Sequence, residues 1–140
     1  AGSYFFANQA YNANEITIND QLYLLESQII HSLAEKGPCV IIGRCADYVL
    51  REHKHTLNVF VHADIEFRKK RAVEHYGISP KKIEEFLHKQ DKHRAHYHSF
   101  YTDQKWKAIE NYDLTIDSSR FGVDASVEMI IAAAKIKSGI

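Results

Sequence analysis

Leu57-Asn58-Val59-Phe60-Val61-His62-Ala63-Asp64-Ile65-Glu66-Phe67-Arg68-Lys69-Lys70-Arg71 sets a β-branched and aromatic run directly before a helix start. Leu57 to His62 predicts a strand, because such side chains pack well on a pleated surface. Asp64 suits an N-cap, where its carboxylate accepts from the first free backbone N–H groups, and the helix it opens is expected to reach about His75, with Gly77 just beyond. A strand that feeds straight into a helix is the repeating unit of a parallel sheet. The same order extends in both directions. Upstream, Cys39-Val40-Ile41-Ile42 is a short apolar run ending at Gly43, the form of a strand buried on both faces, and a short helix is expected from Ala46 to Leu50. Before that, Asn19 or Asp20 opens a helix in which Leu22, Leu25, Ile29, Ile30 and Leu33 recur at helical spacing until Gly37 and Pro38. Positions 1–18 read as an irregular lead-in. Downstream, Ser79-Pro80 restarts a helix that runs past Tyr97, Tyr112 to Ile116 predicts a third strand, and Val123 to Ile136 a terminal helix. The expectation is one α/β domain over residues 1–140, a parallel sheet with helices on both faces.

Composition agrees with a folded chain. The 140 residues are 45% hydrophobic and 26% charged, and 18 Lys and Arg balance 18 Asp and Glu. That is enough apolar material for a core and too little net charge for a disordered tail. No apolar run approaches the roughly 20 residues that cross a bilayer, and the start has neither a basic leader nor an apolar secretion segment, so a cytoplasmic protein without a membrane partner is expected. Cys39 and Cys45 form neither a disulfide framework nor a Cys-x-x-Cys motif and are expected to stay reduced. The zero net charge is unevenly spread. Between Arg68 and Arg94 nine Lys and Arg face four acids, so this stretch carries +5 and the remainder −5. Such a block is either a solvated helical face or a collector of anions such as phosphates.

In parallel sheets ligands bind outside the carboxyl ends of the strands. Gly43-Arg44 through Asp47, Asp64 to Arg71 and Asp117-Ser118-Ser119-Arg120 fall at those ends. Gly43 permits a sharp turn that would project the Arg44 guanidinium into the crevice, where its fork of donors suits a phosphate, unless Arg44 is an ordinary surface arginine. On the helix after Asp64 the apolar stripe is Ile65, Ala72, Val73 and Tyr76, and Arg68 lies inside it, so Arg68 needs an anionic partner. Arg68 and Arg71 could together hold a polyphosphate, or Arg68 could pair with Glu66, Glu74 or another acid. Asp91 and Arg94 share a face with Ile83, Leu87 and Tyr97 and could pair with each other. His88, His93, His96 and His98 crowd one helix, yet no cysteine or carboxylate set completes a coordination sphere, so no metal site is expected. Tyr97, Phe100, Tyr101 and Trp106 interleaved with Lys105 and Lys107 suggest base stacking, but the neutral overall charge argues against a nucleic-acid partner.

Val40-Ile41-Ile42-Gly43-Arg44-Cys45-Ala46-Asp47, Val59-Phe60-Val61-His62-Ala63-Asp64, Glu66-Phe67-Arg68-Lys69-Lys70-Arg71, Asp91-Lys92-His93-Arg94 and Tyr112-Asp113-Leu114-Thr115-Ile116-Asp117-Ser118-Ser119 occur in this order. In these segments, from about Asp20 to the C-terminus, the chain resembles the cytidylate-kinase-like family of P-loop nucleoside monophosphate kinases. The resemblance implies a P-loop NTPase-like sheet with flanking helices and a helical lid at about 76–102. It also implies a transferase that moves a phosphoryl group from ATP, with Mg²⁺, to a CMP-type monophosphate. Arg44 and Asp47 would then serve the acceptor, Asp91 and Arg94 would close over it, and Arg68 and Arg71 would be catalytic. Arg71, Ser118 and Arg120 would face the donor nucleotide. Three positions depart from well-characterised cytidylate kinases: Ile42 and Cys45 replace aspartates that flank the Gly-Arg pair, and Leu87 replaces an arginine one turn before the lid aspartate. No Gly-x-x-x-x-Gly-Lys-Ser/Thr occurs among the 140 residues. Two expectations follow: that Ala1 lies in the middle of a longer gene product, and that a sheet lacking its central strand either exposes two unpaired edges or closes directly between the Cys39 and Leu57 strands, giving marginal stability or pairing with another chain through the unpaired edges. The alternative from another class is a non-catalytic module that binds a nucleotide or a protein through a degenerate kinase fold.

Overall fold

The computed structural model describes residues 16–139. It groups them into two compact units, one of residues up to Thr56 with His98–Lys105, the other of Leu57–Tyr97 with Trp106 onward. Of the expected lead-in, positions 1–15 lie outside the described residues. No helix among the described residues is long and apolar enough to cross a membrane.

In the first unit α1 spans Ile18–Lys36. It starts earlier than Asn19 or Asp20 would have it, because Thr17 and Asp20 form a reciprocal capping box: the Thr17 hydroxyl accepts from the Asp20 N–H at 3.2 Å and the Asp20 carboxylate accepts from the Thr17 N–H at 3.2 Å. The helical period is present, but Tyr23 and Ile30 are the buried positions, while Leu22, Leu25, Ile29 and Leu33 are exposed. Tyr23 stacks on Tyr101 with ring centres 4.2 Å apart, and the Tyr101 hydroxyl donates to Asp20 at 3.1 Å. These contacts, with buried Tyr48, Val49 and Leu50, form the core of this unit.

The strand expected at Cys39–Ile42 does not form. The segment joins no sheet, and Val40 and Ile42 are 92% and 89% exposed. Apolar β-branched residues favour an extended backbone, but a strand exists only where a neighbour completes its hydrogen bonds, and none is present among the described residues. The chain then turns through three consecutive left-handed residues, Gly43 (φ 70°), Arg44 (φ 56°) and Cys45 (φ 56°), into the one-turn helix α2, Ala46–Val49.

In the second unit β1 (Val59–His62) and β2 (Leu114–Asp117) pair in parallel, Val59 opposite Leu114 and His62 opposite Asp117. Both are shorter than expected. The third strand begins two residues late because Tyr112 closes a 3₁₀ turn over Ile109–Asn111. The Asp113 carboxylate accepts from the Asn58 N–H at 2.7 Å and ties the two strand entries together. Helix α3 (Ile65–Tyr76) is capped as expected by Asp64, which accepts from the Phe67 N–H at 2.8 Å, and ends on left-handed Gly77. Ser79-Pro80 opens a turn rather than a helix, and α4 (Ile83–Thr102) starts three residues after the proline. Ala72, Ile83 and Leu87 pack together, flanked by Ile65, Val73 and Ile78, so Leu87 serves as core. Helix α5 (Ser118–Ser138) starts directly from β2, five residues before Val123, and is broken at Gly122. The result is an α/β fold whose described sheet has two parallel strands.

Candidate functional site

The second unit holds most of the residues singled out by the sequence. Arg68, within the packed stripe of α3, does meet an anion. Its two terminal nitrogens donate to the two carboxylate oxygens of Asp91 on α4, both at 2.7 Å. This fork-to-fork geometry is the strongest form of an arginine–carboxylate contact. Arg94 lies 3.6 Å from the same carboxylate. Burial alone would raise the Asp91 pKa, but the Arg68 hydrogen bonds and charge, aided by Lys107 and Arg94, outweigh it and hold the carboxyl below its ordinary value. Three cations thus act on one carboxylate, an excess of positive charge suited to a phosphate. Neither Glu66 nor Glu74 serves Arg68. Glu66 pairs with Lys69 at 3.0 Å and Glu74 lies 3.9 Å from Lys70, while Lys69 also reaches Glu84 at 2.7 Å. Part of the +5 block is therefore neutralised within its own helices. Arg71 is partly buried, one turn beyond Arg68, with its guanidinium 6.0 Å from the centre of the Phe67 ring.

At the carboxyl ends of β1 and β2, Ser118 donates to the His62 carbonyl at 3.1 Å, and the Asp64 N–H donates to the Ser119 hydroxyl at 3.2 Å. The Ser119 hydroxyl and N–H both donate to Asp117, and exposed Arg120 reaches the same carboxylate at 3.3 Å. The Ser119 hydroxyl first, then its N–H and the His62 and Arg120 charges, keep Asp117 below its ordinary pKa. The starts of α3 and α5 are in this way stitched side by side where a parallel sheet presents its ligand-binding end.

In the first unit Arg44 projects from its left-handed turn with its side chain 60% exposed, its Nε 3.6 Å from Glu26. Asp47 is engaged. One oxygen lies 2.9 Å from Nε2 of His98, whose side chain is only 5% exposed. His98 was named only as one of four histidines crowding the helix and was given no role of its own. Its position on the stripe Leu87, Asp91, Arg94, His98 at spacings of four, three and four was the available signal, masked by the three other histidines of the helix. Cys45, beside Asp47, is a buried free thiol pushed up to about 12 by burial and the nearby Asp47 and Glu26 charges, and Cys39 is free and exposed. The described residues contain no group of three or more His, Cys, Asp or Glu side chains that could hold a metal ion.

A family model described as the cytidylate kinase-like family matches residues 2–120, which include all of these side chains. The chain belongs to the cytidylate kinase-like family. The match begins earlier than Asp20 and stops at Arg120, so most of α5 lies outside it. Among solved structures, the chain is similar to the crystal structure of an uncharacterized protein from Eubacterium ventriosum ATCC 27560. The two are 30% identical with a TM-score of 0.79, over 86% of this chain and 68% of the other. A search of curated proteins found no match.

Proposed function

We propose that this chain carries the acceptor-side and lid-side part of a nucleotide kinase of P-loop NTPase-like fold, which transfers a phosphoryl group from ATP to a nucleoside monophosphate of the CMP type. The observation that carries this reading is the gathering of Arg68 and Arg94 on one carboxylate, Asp91, in a chain of the cytidylate kinase-like family. Phosphoryl transfer spreads negative charge over the phosphate oxygens and asks for positioned cations more than for a covalent catalyst. On this reading Arg44 holds the acceptor phosphate, with Asp47 beside it in the chain, and Asp91 and Arg94 cover the acceptor. Arg68 and Arg71 approach the transferring group, and Ser118 and Arg120 lie on the donor side. Positive charge on the lid helices fits the polyphosphate of ATP. The described residues do not fit a Mg²⁺ held by protein side chains, since no group of three or more His, Cys, Asp or Glu placed to hold a metal ion is among them and the sequence has no Gly-Lys-Ser/Thr phosphate-loop hydroxyl, and no step is assigned to that ion.

A second reading, a non-catalytic nucleotide-binding module, is favoured by the lack of a Gly-x-x-x-x-Gly-Lys-Ser/Thr motif in these 140 residues. Calorimetric titration of this chain with CMP, alongside a coupled assay of ATP turnover on the full-length gene product, separates the two. The expected result is saturable CMP binding that Arg44→Ala weakens about tenfold or more. Binding that ignores Arg44→Ala overturns the acceptor assignment, and CMP binding by the full-length gene product without turnover selects the second reading.

A further inference from the structure

Both ring nitrogens of His98 face acceptors. Nε2 lies 2.9 Å from the Asp47 carboxylate, and Nδ1 lies 3.4 Å from the Gln104 carbonyl and 3.2 Å from the Thr102 hydroxyl oxygen. The single hydroxyl proton of Thr102 is already committed to the His98 carbonyl at 2.6 Å, and the Gln104 N–H donates to the same oxygen at 3.2 Å, so Thr102 has only a lone pair to offer the ring. A neutral imidazole has one lone pair, and either tautomer would aim it at a carboxylate or at two oxygens. Only the imidazolium satisfies every neighbour.

We infer that His98 is a positioning residue: as an imidazolium it pins Asp47, and through Asp47 the Gly43-Arg44-Cys45 turn that presents Arg44. The turn needs such an anchor, because Arg44 and Cys45 both adopt the left-handed region that side chains disfavour, and the helix it leads into is a single turn. The charge His98 answers from α2 is Asp47. The other acids of this unit named above are occupied, Glu26 by Arg44 and Asp20 by the Tyr101 hydroxyl and the α1 cap. Cys45 and Tyr101, each pushed up to about 12, stay neutral. Burial would lower the His98 pKa, but the Asp47 hydrogen bond and charge, with the Gln104 carbonyl, raise it. The anchor is therefore fully formed on the acid side and weakens as pH rises through the raised value.

The test is a pH titration of the chain followed by long-range ¹H–¹⁵N NMR of the imidazoles and by backbone amide shifts. The expected result is a doubly protonated His98 ring at neutral pH, a midpoint above the ordinary histidine value, and Gly43–Ala46 amide signals that move with that same midpoint. In Asp47→Asn the midpoint falls below the wild-type one and the coupled amide shifts disappear. A His98 ring that is a single neutral tautomer at neutral pH, or amides that do not follow it, overturns the inference without recourse to any variant. The bearing on phosphate rests on the acceptor role proposed for Arg44. Titration with inorganic phosphate below and above the His98 midpoint should give weaker binding above it. If phosphate does not bind at either pH, the acceptor reading fails, while the imidazole titration and its coupling to the turn still decide the anchor.

Discussion

Asp47 and Asp91 are each a carboxylate closed by a cation, one in each unit. Asp91 takes two hydrogen bonds from a guanidinium that stays charged at any pH the fold survives, while Asp47 takes one from an imidazole that can lose its charge. Asp91 is held below its ordinary pKa and His98 above its own. A group with a depressed folded pKa contributes stability that is present above its unfolded value and lost as pH falls through the folded one. A group with a raised folded pKa contributes stability that is complete below its unfolded value and lost as pH rises through the folded one. The α3–α4 pair therefore fails in acid and the α2–α4 pair in base. The same chemical motif gives one unit a constant tie and the other an adjustable one.

The contrast is most severely tested by removing the constant tie. Asp91→Ala leaves the Arg68 guanidinium partly buried without its partner and should cost about 2–3 kcal/mol in denaturant unfolding at neutral pH, the low end for such a loss because both side chains keep some solvent. A loss under about 0.5 kcal/mol would mean the pair is screened like a surface contact. Asp47→Asn keeps the shape but removes the charge, and should cost about 1–2 kcal/mol below the His98 midpoint and less above it. An Asp47→Asn cost that is flat across that range would erase the distinction between the two ties. Arg94→Ala sharpens the comparison from the other side: it touches the same Asp91, but at 3.6 Å and with its side chain 57% exposed, so its cost should stay within about 0.5 kcal/mol.

Much of this was legible in the sequence, and the limits are physical. Asp64 and Gly77 marked the ends of α3 because caps are local chemistry, satisfied within a few residues. That Arg68 needed an acid was readable from its place in an apolar stripe, yet which acid was not, since Asp91 lies 23 residues away and is brought in by the packing of Leu87 against Ala72. That β1 and β2 are neighbours is given by the fold alone, but that they run parallel followed from alternating strands and helices. The fate of Cys39–Ile42 did not, because a run of apolar residues records what a segment prefers and not whether a neighbour exists. Likewise His98 is buried where His88, His93 and His96 are exposed, which its stripe position only hinted at, because burial is a property of the whole fold.

The bare Val40 and Ile42 also decide how the chain behaves in a tube. With a formal net charge of zero at pH 7, copies of the 140-residue chain lack the long-range repulsion that keeps proteins dispersed, and an exposed apolar stretch is a template for sticking. Solubility should pass through its minimum near neutrality and recover on either side. Val40→Lys, a gatekeeper charge at a side chain that is 92% exposed, should raise it at pH 7 with no loss of folded stability.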